Sequence, residues 1–181
     1  MNTRKIVFAG IIGALYAALT VALNFISYGP IQFRIAEALC ILPFFFPFTA
    51  WGLFIGCIAA NLLSPYPLDI AIGTTATLFA AFITAMIAKL GRDRLPVKML
   101  ACAPPVIVNA LAIGALLAYY SISSSNDGLT TVKFFTAFAT NGTQVGFGEF
   151  VVMYALGFPL MLYLPKFTVF QRLYNQLNPN D

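Results

Sequence analysis

AEALCILPFFFPFTAWGLFIGCIAANLL, residues 36–63, is the stretch on which the architecture turns. It reads either as one long helix or as two short ones separated near Pro47-Phe48-Thr49-Ala50, and the two readings send the rest of the chain to opposite sides of a membrane. Charge decides between them. If the stretch crosses twice, or enters and returns, then Arg4, Lys5, Lys89, Arg92, Arg94, Lys98, Lys166 and Arg172 share one side, leaving Arg34 and Lys133 on the other. Eight basic residues against two is a strong positive-inside bias. The flanking apolar runs, Ile6 to Ile26, Leu68 to Ala88, Leu100 to Ile122 and Gly142 to Leu164, are each long enough to cross a hydrocarbon layer of roughly 30 Å at about 1.5 Å per residue. The expected fold is therefore an all-α integral membrane protein with six transmembrane helices in a single domain, residues 1–181. Both termini are cytoplasmic, and the second and third spans are short and interrupted by Pro43, Pro47, Gly52 and Gly56. The first run lacks an A-x-A cleavage signature and exceeds a signal peptide's apolar core, so it is read as an uncleaved span.

Composition narrows the function classes. Of 181 residues, 60% are hydrophobic and 9% charged, against about a quarter charged in a soluble domain. The formal net charge of +4 sits on loops between apolar runs and not on one polar face, which argues against nucleic acid. Cys40, Cys57 and Cys102 lie inside apolar runs without a CxxC pair, so they suggest neither disulfide nor zinc and read as small core residues. The chain has no His and no GxSxG, HExxH or GxxxxGK[ST] string. Neither an enzyme nor an ATPase is expected, and no metal or resident cofactor is implied.

What remains is a small set of polar residues at or inside the membrane: Gln32, Arg34, Glu37, Asn61, Asp69, Asn109, Gln144 and Glu149. An acidic side chain near mid-bilayer costs something like 2.5–3.5 kcal/mol, so each needs a partner, a cavity or a ligand. Glu149 lies about eight residues into the last apolar run, with Gly142, Val145 and Gly146 on its face. These leave room for a ligand, or else allow close helix packing. Asn109 shares a face with Ile113, Leu116 and Tyr120, and suits either a ligand or a bond to another helix. Asn61 and Asp69 flank the turn Ser64-Pro65-Tyr66-Pro67, where either can be a turn or cap residue. Gln32, Arg34 and Glu37 belong to an outer connection that is either fixed by an Arg34–Glu37 ion pair or serves as a lid completing a pocket. These positions gather toward the outer half, which favours a binding cavity open to the outside over a through-pore. Carboxylates and amides among aromatic rings suit a flat, donor-rich, cationic small molecule, such as one offering the Watson–Crick edge of a guanine-like base.

The first helix carries Gly10, Ala14, Ala18 and Ala22 at intervals of four, with Ala9, Gly13 and Ala17 in a parallel ladder. Another helix can lie closely on such a stripe, whether from this chain or from a partner.

GPIQFRIAEALCILPFFFP (29–47), GLFIGCIAANLL (52–63), LDIAIGTTATLFAA (68–81), PPVIVNALAIG (104–114) and VGFGEFVVMYALGFPL (145–160) resemble the queuosine-precursor transporter family, QueT. Its members are substrate-binding S components of energy-coupling factor (ECF) transporters. The loop 121–140 and the tail after Pro165 carry little of the resemblance. It implies a six-helix S component of a bacterial plasma membrane that captures a 7-deazaguanine such as 7-aminomethyl-7-deazaguanine or queuine. The implied partners are a coupling membrane subunit and two ATPase subunits, which hydrolyse the ATP. Ala14, Ala18 and Ala22 match the family's docking ladder. Glu149 and Asn109 would meet the base edge, Gln32, Arg34 and Glu37 would form the lid, and Asp69 would meet an exocyclic ammonium. Competing expectations are an S component for another vitamin or nucleobase, and a stand-alone proton-coupled transporter using Glu149 and Asp69.

Overall fold

The computed structural model describes residues 2–29, 31–124 and 130–178. Pro30 of the outer connection and positions 125–129 of the loop 121–140 lie outside the described residues. Four helical stretches are long and apolar enough to cross a membrane: Thr3–Ala22, Asp69–Leu90, Leu95–Ser123 and Thr131–Lys166. In chain order the helices are α1 (Thr3–Ala22), α2 (Asn24–Ser27), a 3-10 helix (Ile35–Phe44), α3 (Thr49–Asn61), α4 (Asp69–Ile87), α5 (Leu95–Ala101), α6 (Ala103–Ser123), α7 (Thr131–Val152), α8 (Phe158–Tyr163) and α9 (Thr168–Leu177). A π-helical turn, Met153–Gly157, joins α7 to α8, and short 3-10 turns follow α4 and α8.

The deciding stretch is two short segments, as expected, but the break falls at Phe45–Phe48 and the first segment is not α-helical. Ten residues wound as a 3-10 helix rise about 20 Å, the same as thirteen residues of α3 at α-helical pitch, so both limbs are matched in length and shorter than a full crossing. Pro43 lies inside the 3-10 helix, whose tighter i+3 bonding spares it the carbonyl of residue 39 that an α-turn would press against its ring. The 3-10 helix is the axis of the fold. It touches α1, α3, α4, α7, α8 and the π turn, while α1–α3–α4–α6–α7 pack in sequence around it. Ala36, Glu37, Cys40, Ile41 and Phe44 are all at most 1% exposed.

Glycine sets the closest approaches. Added Cβ atoms at Gly13, Gly52 and Gly56 would strike the backbone of Gly52, Ala9 and Gly13 in turn, so α1 and α3 meet main chain to main chain. The inner ladder of Ala9 and Gly13 therefore serves internal packing. Gly10, Ala14, Ala18 and Ala22 face outward, and Gly10 has open space where a Cβ would go.

One sequence expectation is corrected. The last apolar run begins at Thr131 rather than Gly142, because Thr136, Thr140, Asn141 and Thr143 return their side chains to carbonyls four residues back and hide their polarity within the helix. Much of the loop 121–140 is thus helix. The tail is also helical: α9 lays Phe170 and Tyr174 on Phe46, with ring centroids 5.5 and 5.7 Å apart, and Asn178 Nδ2 donates to the Phe45 carbonyl at 3.1 Å. This closes the break between the two short limbs. Lys5, with its ammonium 5.5 Å from the Phe48 ring, lies at the same end. So does a cavity lined by Phe45, Arg92, Lys98 and Tyr174. The basic segments therefore converge on one end of the bundle.

Gly56→Ala is expected to destabilise the protein by about 1–3 kcal/mol, because its methyl group overpacks a backbone contact. Gly10→Ala should leave stability unchanged or slightly raised. Thermal unfolding of the two variants in one detergent checks the contrast.

Candidate functional site

The end of the bundle away from the basic segments holds a buried polar cluster built on the first turn of the 3-10 helix. At three residues per turn Cys40 stands directly over Glu37, and its thiol donates to Glu37 Oε2 at 2.9 Å. Tyr16 of α1 donates to Glu37 Oε1 at 2.5 Å, and Thr77 of α4 donates to the same oxygen at 3.4 Å. Cys57 of α3 lies 3.5 Å from Thr77 Oγ1 and accepts from Asn61 Nδ2 at 3.4 Å. Arg34 closes the cluster from the outer connection, with Nη1 3.9 Å from Glu37 Oε1 and Nη2 3.5 Å from Asp69 Oδ2. Gln32, Arg34, Glu37, Asn61, Asp69, Asn109 and Glu149 are each at most 3% exposed.

The turn between α3 and α4 explains Asp69 and Asn61. Asp69 is the first residue of α4 but does not cap it. Its Oδ2 accepts from Ser64 Oγ at 3.1 Å and from Arg34. Asn61 ends α3 and donates Nδ2 to the Asp69 carbonyl at 2.9 Å. Gly73 makes the arrangement fit, since a Cβ there would collide with Asp69 Oδ1 and come within 3.0 Å of Asn61 Nδ2.

Glu149 and Asn109 form a second pair, between α7 and α6. Asn109 Nδ2 donates to Glu149 Oε1 at 3.0 Å. Of the two readings of Gly142 and Gly146, room for a ligand or close helix packing, contact with α6 realises the second. A Cβ at Gly142 would lie 3.0 Å from the Ala110 carbonyl, and one at Gly146 would lie 3.1 Å from Ala110 Cβ. Those glycines serve close packing, and they bring the Asn109 amide to the carboxylate. Gly148 is the glycine that bears on the outer connection, because a Cβ there would strike the Ile31 and Gln32 carbonyls. The connection therefore rests on α7 one residue before Glu149, and its alternation is inverted relative to water: Gln32 and Arg34 point inward while Ile31 is 39% exposed.

The two pairs form one electrostatic unit, with Glu149 within reach of both Glu37 and Arg34. Four buried polar atoms in this unit have no hydrogen-bond partner: Arg34 Nε, Asp69 Oδ1, Asn109 Oδ1 and Glu149 Oε2. Leaving one such atom unmet costs about 1–3 kcal/mol, so each is a place where a complementary group would stabilise the protein. Three of the four are acceptors.

Tyr120 and Gln144 are placed elsewhere. They line an outer cavity of about 310 Å³ with Tyr28, Tyr66, Ser121 and Asn141, in which the Tyr66 and Tyr120 rings stand 5.1 Å apart. Tyr28 joins this cavity to the buried cluster. Its ring carries the Arg34 guanidinium 5.5 Å from the centroid, and its hydroxyl donates to the Ala60 carbonyl at 2.8 Å. Burial pushes the Tyr28 phenol up to about 12, so it remains a donor at neutral pH.

Sequence reasoning missed Tyr16, Cys40, Cys57 and Thr77 as members of the cluster. Tyr16 sits among alanines in an apolar helix, and the two cysteines read as core. Only the approach of Tyr16, Cys40 and Thr77 to Glu37, and of Cys57 to Tyr16 and Thr77, reveals them. All three cysteines are buried and free.

A family model described as QueT transporter matches residues 6–166. The queuosine precursor transporter QueT of Lactococcus lactis subsp. cremoris is 42% identical over 79 residues, which cover 42% of this chain and 47% of that protein. The chain thus spans about half the length of the curated relative it matches. No solved structure matches it.

Tyr16→Phe removes the shortest bond to a buried carboxylate, so it should lower stability by about 1.5–3 kcal/mol. Adding Glu37→Gln should recover part of that loss, because the amide no longer needs a charged-acceptor partner. Unfolding curves for the single and double variants make the comparison.

Proposed function

The chain belongs to the QueT transporter family, a membrane transport family of the bacterial plasma membrane, and from that premise we propose that it is the substrate-capturing S component of an ECF transporter. Its cargo in this reading is a queuosine precursor, a 7-deazaguanine such as 7-aminomethyl-7-deazaguanine or queuine. The observation that carries the proposal is the set of unpartnered acceptors on Asn109, Glu149 and Asp69, all nine-tenths buried or more. A guanine-like edge presents adjacent N–H donors, which two neighbouring acceptors such as Asn109 Oδ1 and Glu149 Oε2 can take together. An exocyclic ammonium would find Asp69. The curated relative's printed name, a queuosine precursor transporter, agrees with this chemistry.

The rest of the proposal is topological. The single domain crosses the membrane six times, the two short limbs counting as the second and third spans, with both termini on the cytoplasmic side. Gathering of the basic segments at one end supports this orientation. Transport then requires partners, a coupling membrane subunit and two ATPases that hydrolyse ATP, since the chain itself carries no nucleotide-binding string. The stripe of Gly10, Ala14, Ala18 and Ala22 is the surface proposed to meet the coupling subunit. All four residues are exposed on α1, while the neighbouring ladder is consumed by α3.

Isothermal titration of the detergent-purified chain against 7-aminomethyl-7-deazaguanine, queuine and guanine tests the capture role. Saturable one-to-one binding of a deazaguanine in preference to guanine is expected, and folded protein that binds none of the three refutes it. Glu149→Gln should weaken binding by about 1.5–3 kcal/mol through loss of a charged acceptor. Ala14→Leu should leave binding by the isolated chain intact and abolish co-purification with the coupling subunit, because a bulky side chain obstructs the stripe.

A further inference from the structure

Arg34 is at odds with an ordinary structural ion pair. It is 2% exposed, yet its nitrogens stand 3.5 and 3.9 Å from the Asp69 and Glu37 oxygens, where a charge-assisted bond settles at about 2.7–2.9 Å. Nε has no partner, and neither does Asp69 Oδ1 on the other side of the pair. A guanidinium committed to these carboxylates would engage them as a fork, with two parallel N–H bonds. Here both partners are held loosely, in a cluster where three carboxylates, Glu37, Asp69 and Glu149, share one cation.

We infer that Arg34 is the resident occupant of the capture site, a guanidinium of the chain itself that an incoming base displaces from Asp69 and Glu37. The inference rests on the reading of this cluster as the capture site and specifies how it is entered. The exchange is like for like in its donors, and the cationic charge that leaves with Arg34 is replaced by the aminomethyl ammonium of the ligand. The 2-amino-4-oxopyrimidine ring of a guanine-type base contains the same planar N–C–N fork of donors that a guanidinium presents, so one can replace the other on the same carboxylate oxygens.

Two further features fit such an exchange. Arg34 follows Gln32, which holds φ at 52° and is the one non-glycine residue with positive φ among the described residues. A left-handed conformation is costly for such a side chain, so the connection is held in place by its contacts and relaxes when they change. The displaced side chain also has a destination. Its guanidinium already lies over the Tyr28 ring, and Tyr28 forms one wall of the outer cavity with Tyr66 and Tyr120, whose faces suit a cation. Displacement would thus move Arg34 from the acidic cluster to aromatic walls beside it and leave Asp69 Oδ2 and the outer side of Glu37 Oε1 for the ligand.

The test uses the full chain in detergent, as wild type and R34A, with methylguanidinium chloride as the probe and tetramethylammonium chloride as the ionic control. Millimolar methylguanidinium is expected to raise the melting temperature of R34A, by filling the place of the missing side chain, and to leave wild type unchanged. 7-Aminomethyl-7-deazaguanine should bind R34A about tenfold more tightly than wild type, because the competent state no longer has to be reached by displacing the occupant. Methylguanidinium should compete with it only in R34A. Affinity in R34A equal to or below wild type overturns the inference, since it makes Arg34 a strut or a direct ligand contact. Absence of methylguanidinium protection overturns it as well. Should R34A not fold, the D69N background keeps the pair neutral when R34Q is added, and R34Q must then raise affinity over D69N alone, a fall or no change being fatal. If the base binds neither protein while methylguanidinium still protects R34A, the 7-deazaguanine reading fails and the resident-guanidinium assignment stands.

Discussion

One buried carboxylate organises this molecule. Glu37 sits fully enclosed on the central 3-10 helix, where neither water nor lipid can serve its oxygens, so the chain must supply the donors itself. It does so from four directions: Tyr16 on α1, Cys40 one turn along the same helix, Thr77 on α4 and Arg34 from the outer connection. The bonds from Tyr16 and Thr77 fix elements that would otherwise slide, because apolar helices in an apolar solvent gain little from facing one way rather than another. A polar bond at the centre thus does for this bundle what hydrophobic burial does for a soluble one.

That constraint acts together with close packing. The donors reach Glu37 only because α1 and α3 meet backbone to backbone at Gly13, Gly52 and Gly56, which brings Tyr16 and Cys57 to the same spot. On the opposite side, Gly114 and Gly142 let α6 and α7 close up, and Asn109 and Glu149 meet as a result. Gly148 admits the outer connection over the top. Small residues provide the proximity and polar residues the direction, and the site exists where the two coincide. Its satisfied part, around Glu37, holds the bundle. Its unsatisfied part, on Asp69, Asn109 and Glu149, is what a ligand could complete.

The two ends of the bundle differ accordingly. At the basic end, Phe8, Phe45, Phe46, Phe170 and Tyr174 interlock in an aromatic seal over the break between the short limbs. At the other end, among the described residues, the irregular outer connection and Tyr28, Tyr66 and Tyr120 lie beside the cluster.

Much of this was legible in the residues alone. The class of protein, the pair of short central limbs and the identity of Gln32, Arg34, Glu37, Asn61, Asp69, Asn109 and Glu149 as buried polar groups follow from composition and from the cost of polarity in lipid. What only the tertiary structure decided was facing and partnership. The sequence offered two equivalent small-residue ladders on α1, and contact with α3 assigned Ala9 and Gly13 inward and Gly10, Ala14 and Ala18 outward. It left the glycines before Glu149 as either ligand space or a packing face, and contact with α6 chose packing. Asp69 read as a turn or cap residue or as a ligand contact and is a partner of Arg34, while Tyr16 and Cys40 read as core and donate to Glu37. The physical reason is common to all four. In a water-soluble chain the apolar periodicity says which face turns inward, but here nearly every face is apolar, so pattern identifies the spans and three-dimensional complementarity alone orients them.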